Sequence, residues 1–176
     1  TFYEEVVRGP LGEPVQARWG ELGGDSKTAV IEMSQASGLT LISKEKLNPR
    51  QANTFGTGQL IKCAIDKGCK RIIIGLGGSA TNDGGMGMAE ALGVKFYDKK
   101  GEILPLGGIY LCDLERIEMD GLDTRVKNVE FLIASDVTNP LCGPSGASSV
   151  FGPQKGATQE DVKELDSGLR NFAEKV

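Results

Sequence analysis

Apolar residues along this chain come in two alternating patterns: short β-branched bursts, and longer runs spaced by three and four. Phe2–Arg8, Pro14–Leu22 and Thr28–Met33 are bursts of the first kind, separated by the turn clusters Gly9-Pro10-Leu11-Gly12 and Gly23-Gly24-Asp25. Three strands joined by short turns predict an antiparallel meander. Ser34–Gly38 interrupts it with small polar residues, and Asn48-Pro49-Arg50 breaks the chain again. Gln59–Asp66 then places Leu60, Ile61, Ala64 and Ile65 on one helical face and ends at Gly68. Ile72–Ile74 reads as a strand buried on both faces, and Met86–Leu92 as a helix stopped by Gly93. Val94–Asp98 and Glu102–Leu104 flank Lys99-Lys100-Gly101 as a hairpin, and Pro105–Glu115 as a turn with a short helix. Val129–Ala134 is the second strong apolar strand. The last helix opens on a capping box, Thr158 and Asp161, and carries Leu165, Leu169 and Phe172 on its core face. The alternation predicts an α/β fold: a mixed sheet with helices, its parallel part extended by the antiparallel N-terminal meander.

The pattern breaks most sharply between Ile74 and Met86. Gly75, Gly77, Gly78, Gly84 and Gly85 surround the polar run Ser79-Ala80-Thr81-Asn82-Asp83. A strand leading through glycines to a helix start offers free N–H groups and the positive end of a helix dipole, which suits phosphate. Gly77, Gly78, Ser79, Thr81 and Asn82 are therefore candidate phosphate- or substrate-binding residues. Asp83, beside the expected helix start, is either an N-cap or a carboxylate that accepts a proton or positions magnesium. The same stretch contains Gly75-x-Gly77-x-x-Ala80 with Asp98 beyond it, a dinucleotide fingerprint by spacing. A dinucleotide-binding helix would start at the second glycine, however, where Asn82-Asp83-Gly84-Gly85 stand instead, so the spacing is read as coincidence.

Composition narrows the chemistry. A net charge of −4 leaves no basic stripe for nucleic acid, and no apolar run approaches the roughly 20 residues that span a bilayer. Cys63, Cys69, Cys112 and Cys142 form no C-x-x-C pair and are expected as reduced thiols in a cytoplasmic protein. The sequence contains no histidine, which excludes a Ser-His-Asp triad and leaves carboxylates, cations, backbone N–H groups and a metal.

Two further loops share the glycine-and-hydroxyl character. Thr54-Phe55-Gly56-Thr57-Gly58 precedes a helix and reads as a second anion cradle or, more simply, as an N-cap by Thr57. Ser135-Asp136-Val137-Thr138-Asn139-Pro140 follows the second apolar strand, where open α/β sheets collect their ligand chemistry. Asp136 and Asn139 are candidates there, Asp136 for magnesium, nucleotide phosphates or the substrate hydroxyl. Glu32 reads as a solvated strand end.

In order along the chain stand Ile31-Glu-Met-Ser-Gln-Ala-Ser-Gly-Leu39, Gly75-Leu-Gly-Gly-Ser-Ala-Thr-Asn-Asp-Gly-Gly-Met-Gly87, Ser135-Asp-Val-Thr-Asn-Pro-Leu141 and Phe151-Gly-Pro-Gln-Lys-Gly156. Together these motifs closely resemble the type-1 glycerate kinase family. The resemblance implies an ATP-dependent kinase that converts glycerate to phosphoglycerate, 2-phosphoglycerate being favoured, with ATP and Mg2+ as cofactors. It implies two α/β domains facing each other across a cleft, this chain supplying the second domain and one wall. The family's early aspartate- and glycine-rich motif has no counterpart here, so residues 1–176 are expected to be a single domain of a longer polypeptide, inactive alone, whose partner is the missing domain. With Asp83 and Asp136 as catalytic or magnesium-binding candidates, glycerate's carboxylate calls for a cation, Arg50 or Lys155, and Lys155 stands better among its glycines. A nucleotide-dependent oxidoreductase and a non-catalytic phosphate- or nucleotide-binding module are the alternatives.

Overall fold

The computed structural model describes residues 1–24 and 27–176. The turn expected through Asp25 therefore lies partly outside the described residues. Strands β1 (Phe2–Arg8), β2 (Pro14–Glu21) and β3 (Thr28–Glu32) form the expected meander, β1 and β2 pairing from Phe2↔Gly20 to Arg8↔Pro14. The chain then makes a one-turn helix, α1 (Ser34–Ser37), where small polar residues had suggested only an interruption. Helix α2 (Phe55–Asp66) ends with Gly68 at positive φ, and β4 (Arg71–Gly75) returns parallel to β3. After the glycine-rich loop come α3 (Met86–Ala91), stopped by Gly93 at φ +105°, and β5 (Lys95–Tyr97). Strand β6 (Arg116–Glu118) pairs with β5; the expected partner, Glu102–Leu104, adds only a bridge at Tyr97↔Ile103. Strand β7 (Glu130–Ala134) lies parallel to β4, and α4 (Ala147–Phe151) and α5 (Gln159–Lys175) close the chain.

The main sheet has the order β1-β2-β3-β4-β7, and β5 and β6 form a separate ribbon. Ala29, Ile31, Ile72 and Ile74 point to the same face as Trp19 and pack with Leu60, Ile61, Ala64 and Ile65 of α2. A second cluster joins Met86 to Phe96, Leu104, Leu111, Leu114 and Leu169 of α5. Thr158 and Asp161 make both halves of the expected capping box. One expectation is corrected: the sheet is covered on one face. On the other, Val30 and Ile73 are half-buried and Leu132, beside them in register, is exposed.

Glycine has a packing role at the start of α2. A Cβ on Gly56 would overlap the carbonyl of Arg8, and one on Gly58 the carbonyl of Met88. These residues let α2 lie against β1 and α3, so the second glycine-and-hydroxyl cluster is a packing contact. Thr57 is correspondingly inside the helix, sharing a buried 2.8 Å hydrogen bond with Ser37, and does not cap it.

Candidate active site

Because β3, β4 and β7 are parallel and in register, Glu32, Gly75 and Ala134 end on one edge of the sheet. The loops leaving that edge carry nearly all the sequence-predicted candidates, as the rule for open α/β sheets requires.

Asp83 is the most enclosed of them, 1% exposed. Its Oδ2 accepts hydrogen bonds from the Thr54 amide (2.8 Å), the Thr54 hydroxyl (2.8 Å) and the Gly87 amide (3.1 Å); Oδ1 accepts from the Gly85 amide at 3.3 Å. Thr54 Oγ1 in turn accepts from the Met88 amide at 2.9 Å. The first amides of α3 are thus already bonded within the chain, to Asp83 and Thr54. The anion at this helix start is the protein's own carboxylate, and a nucleotide phosphate has no place there. Gly84 and Gly85, at φ +59° and +85°, make the left-handed turn that lets Asp83 fold back on α3.

Lys155 lies across the same loop. It is 8% exposed, and its Nζ donates to the Thr81 carbonyl (2.6 Å) and the Ser79 hydroxyl (3.1 Å). An ammonium has three protons, so one remains for a ligand. Burial pushes its pKa down to about 8, and the negative charge of Asp83 opposes the shift. Ser79 and Lys155 line two adjoining cavities. One, of about 400 Å³, is walled mainly by apolar side chains such as Met33, Leu76 and Leu141 and reaches Thr81, Asn82 and Asp83. The other, of about 250 Å³, is bounded by Gly77, Gly78, Ser135, Asp136 and Gln154. Among the described residues, the Gly77 and Gly78 amides donate to nothing in the protein.

Asp136 is exposed, two residues past β7, and has no hydrogen-bond or ion-pair partner among the described residues. Asn82 is buried, donating from Nδ2 to Ser148 Oγ at 3.0 Å while its Oδ1 has no partner among the described residues. Asn139 donates to the Ser145 carbonyl at 2.9 Å and lines neither cavity, so it shapes its own loop. Glu32 is exposed, its carboxylate against Gly75. Arg50 is committed elsewhere, pairing with Asp161 at 2.8 Å and with Glu164, which leaves Lys155 as the cation of the site.

Magnesium takes oxygen ligands, keeps several waters and needs only one or two carboxylates beside phosphate. Asp136, unpartnered and open to the polar cavity, fits that requirement. Asp83 does not, because it is 1% exposed and four donors of the protein already bond its two oxygens. Sequence reasoning missed Thr54 and Ser148. In the sequence Thr54 stands out only as part of a glycine-and-hydroxyl cluster, and no local signal links it to a residue 29 positions away.

The dinucleotide spacing is likewise explained. The helix starts at Met86, well past Gly77, and the Asp98 carboxylate accepts from Lys100 and Glu102 amides to shape its own turn.

Comparison with known proteins adds an independent line. The model of the glycerate kinase family matches residues 1–176. A glycerate kinase of Halalkalibacterium halodurans is 54% identical over 167 residues, covering 95% of this chain and 44% of that protein. A glycerate 2-kinase of Escherichia coli is 52% identical over 170 residues, covering 97% and 44%. A crystal structure of a protein assigned as glycerate kinase 2, from Salmonella typhimurium LT2, superposes with a TM-score of 0.95 at 48% identity, over 99% of this chain and 46% of that one. The chain thus spans less than half the length of the curated relatives it matches.

Proposed function

Because the chain belongs to the glycerate kinase family, we propose that it forms one wall of the cleft in which ATP phosphorylates glycerate. The observation that carries this reading is Lys155, a buried ammonium with an uncommitted proton, placed between an apolar cavity and a polar one that opens on Asp136. Phosphoryl transfer asks a protein for positioning and charge neutralisation more than for covalent chemistry. The free amides of Gly77 and Gly78, with Ser79, suit phosphate oxygens. Lys155 pairs with the carboxylate of the acid or with the transferring phosphoryl group, Thr81 fixing its direction. Asp136 orients the acceptor hydroxyl, or would hold magnesium together with nucleotide phosphates. Bound magnesium would neutralise phosphate charge. Asp83 acts at one remove: it fixes the loop carrying Ser79, Thr81 and Asn82 onto α2 and α3, and its charge favours the protonated Lys155. Asn82 and Asn139 hold the surrounding loops.

The remaining wall belongs to the part of the polypeptide outside residues 1–176, so residues 1–176 alone are expected to turn over glycerate very poorly. The name of the E. coli relative supports the 2-position as acceptor. The four cysteines are free thiols and no described helix is long and apolar enough to cross a membrane, which fits work in the cytoplasm. A coupled ADP-release assay of the complete polypeptide, with ATP, magnesium and a panel of hydroxy acids, tests the reading, and phosphorus NMR of the product identifies the position. Turnover confined to glycerate is expected. Nucleotide binding without turnover of any hydroxy acid would leave a binding module in its place.

A further inference from the structure

The two edges of the main sheet are built differently. At the β1 edge, Glu4, Glu5 and Arg8 interrupt the apolar residues, and Glu4 pairs with Arg18 of β2. Charges of this kind are how natural sheets blunt an open edge. The β7 edge has no such protection: after Glu130, which pairs with Arg71, the strand reads Phe-Leu-Ile-Ala. Ile133 is 56% exposed on the helix side and Leu132 42% exposed on the other. A strand apolar on both faces is the signature of an interior parallel strand. Beside it, Phe131 and Ile133 form one wall of an apolar groove of about 640 Å³, completed by Met88, Leu92, Phe96 and Phe172.

The unpaired backbone groups can be named. The Glu130 amide donates to the Lys70 carbonyl and the Ala134 carbonyl accepts from Leu76, so residues 130, 132 and 134 turn their backbone polar groups toward β4. By alternation, the amides and carbonyls of Phe131 and Ile133 point outward.

We propose that β7 is an interior strand of the complete protein, paired along Phe131–Ile133 by a strand from the part of the polypeptide outside residues 1–176, with apolar side chains of that part filling the groove. The occupant is argued from length: this chain accounts for 44% of its curated relatives, leaving more than half of each available to cover the edge. A second copy of the chain is the competing occupant. Strand addition here has a consequence for the site, because Asp136 lies two residues past the edge. Pairing β7 on both sides fixes the loop that carries it.

Hydrogen exchange read by NMR on the complete polypeptide tests this without any substitution. The Phe131 and Ile133 amides are expected to exchange roughly a hundredfold or more below their intrinsic rates, as interior strands do, in a protein that sediments as a monomer or whose protection is unchanged on dilution. Exchange of both amides near intrinsic rates overturns the proposal, as does protection that vanishes when a dimer is diluted apart.

Discussion

Asp83 and Asp136 occupy comparable places in the sequence, each in a polar loop after an apolar parallel strand, and the fold gives them opposite environments. The loop of Asp83 leaves β4, hydrogen-bonded to a strand on either side, and runs back beneath α2 and α3. Its carboxylate is sealed in by four donors. The loop of Asp136 leaves β7, paired on one side only, and its carboxylate meets solvent and the polar cavity. The comparison separates two uses of an acid at a sheet's carboxyl edge: one organises backbone, the other is left free to meet a ligand.

The largest effect expected from breaking this contrast is on catalysis. In the complete enzyme, Asp136→Asn should lower kcat by roughly a hundred- to a thousandfold, the range for losing one group aimed at transition-state charge. Exposed and unpartnered, the residue should change stability by no more than about 0.5 kcal/mol on substitution. A steady-state assay paired with urea unfolding separates the two. A variant with activity within a few-fold of wild type would make Asp136 a turn residue only.

Asp83 should show the reverse profile. Asp83→Ala strips the Thr54 and Gly87 amides of their acceptor in a buried site, at a cost of about 3 kcal/mol in unfolding free energy. Asp83→Asn keeps an oxygen for those donors and turns its NH2 toward the weakly bonded Gly85 amide, so a loss within about 1 kcal/mol is expected. If Asp83→Ala unfolds at the wild-type urea midpoint, the enclosure described here contributes nothing.

How far the sequence led can be judged on the same pair. The meander, the αβ unit and the capping box at Thr158 were legible because each is set by local spacing and turn chemistry. So was the edge of the sheet where candidates collect. The environment of Asp83 was not, since two of its four bonds come from Thr54, 29 positions away, a long-range fact with no periodicity, and the other two need the left-handed fold-back at Gly84 and Gly85. Periodicity cannot show that β7 lies uncovered here: an apolar run reports what a strand is suited to, and residues 1–176 do not supply the cover.

A smaller effect sharpens the account of Asp83. Thr54→Val removes the hydroxyl that donates to Asp83 and accepts from Met88, leaving a helix amide and a carboxylate oxygen each one bond short. About 2 kcal/mol of destabilisation is expected, against less than about 1 for Thr54→Ser, which keeps the hydroxyl. Equal values for the two variants would show that methyl packing, not the relay, holds α2 to α3.

Lys155 joins the two aspartates, facing Asp83 and lining the cavity of Asp136, and its titration gives the smallest and most diagnostic signal. Its pKa in the fold is lowered to about 8, chiefly by burial. An unfolded lysine keeps its proton to about 10.4, so between the two values the unfolded chain binds more protons. This group's contribution to stability therefore rises with pH across that window and is unfavourable below it. Substrate affinity should move the opposite way. If Lys155 holds the acid's carboxylate, the KM for glycerate should be flat below pH 8 and rise about tenfold per pH unit above it; if it holds the transferring phosphoryl group instead, the same inflection should appear in kcat. Lys155→Met should bind glycerate weakly with no inflection near pH 8. In Asp83→Asn the inflection should move to lower pH, because the carboxylate that opposes the burial effect is gone. An inflection that stays in place in that variant would mean the two groups do not communicate, and Asp83 would then act on the loop alone.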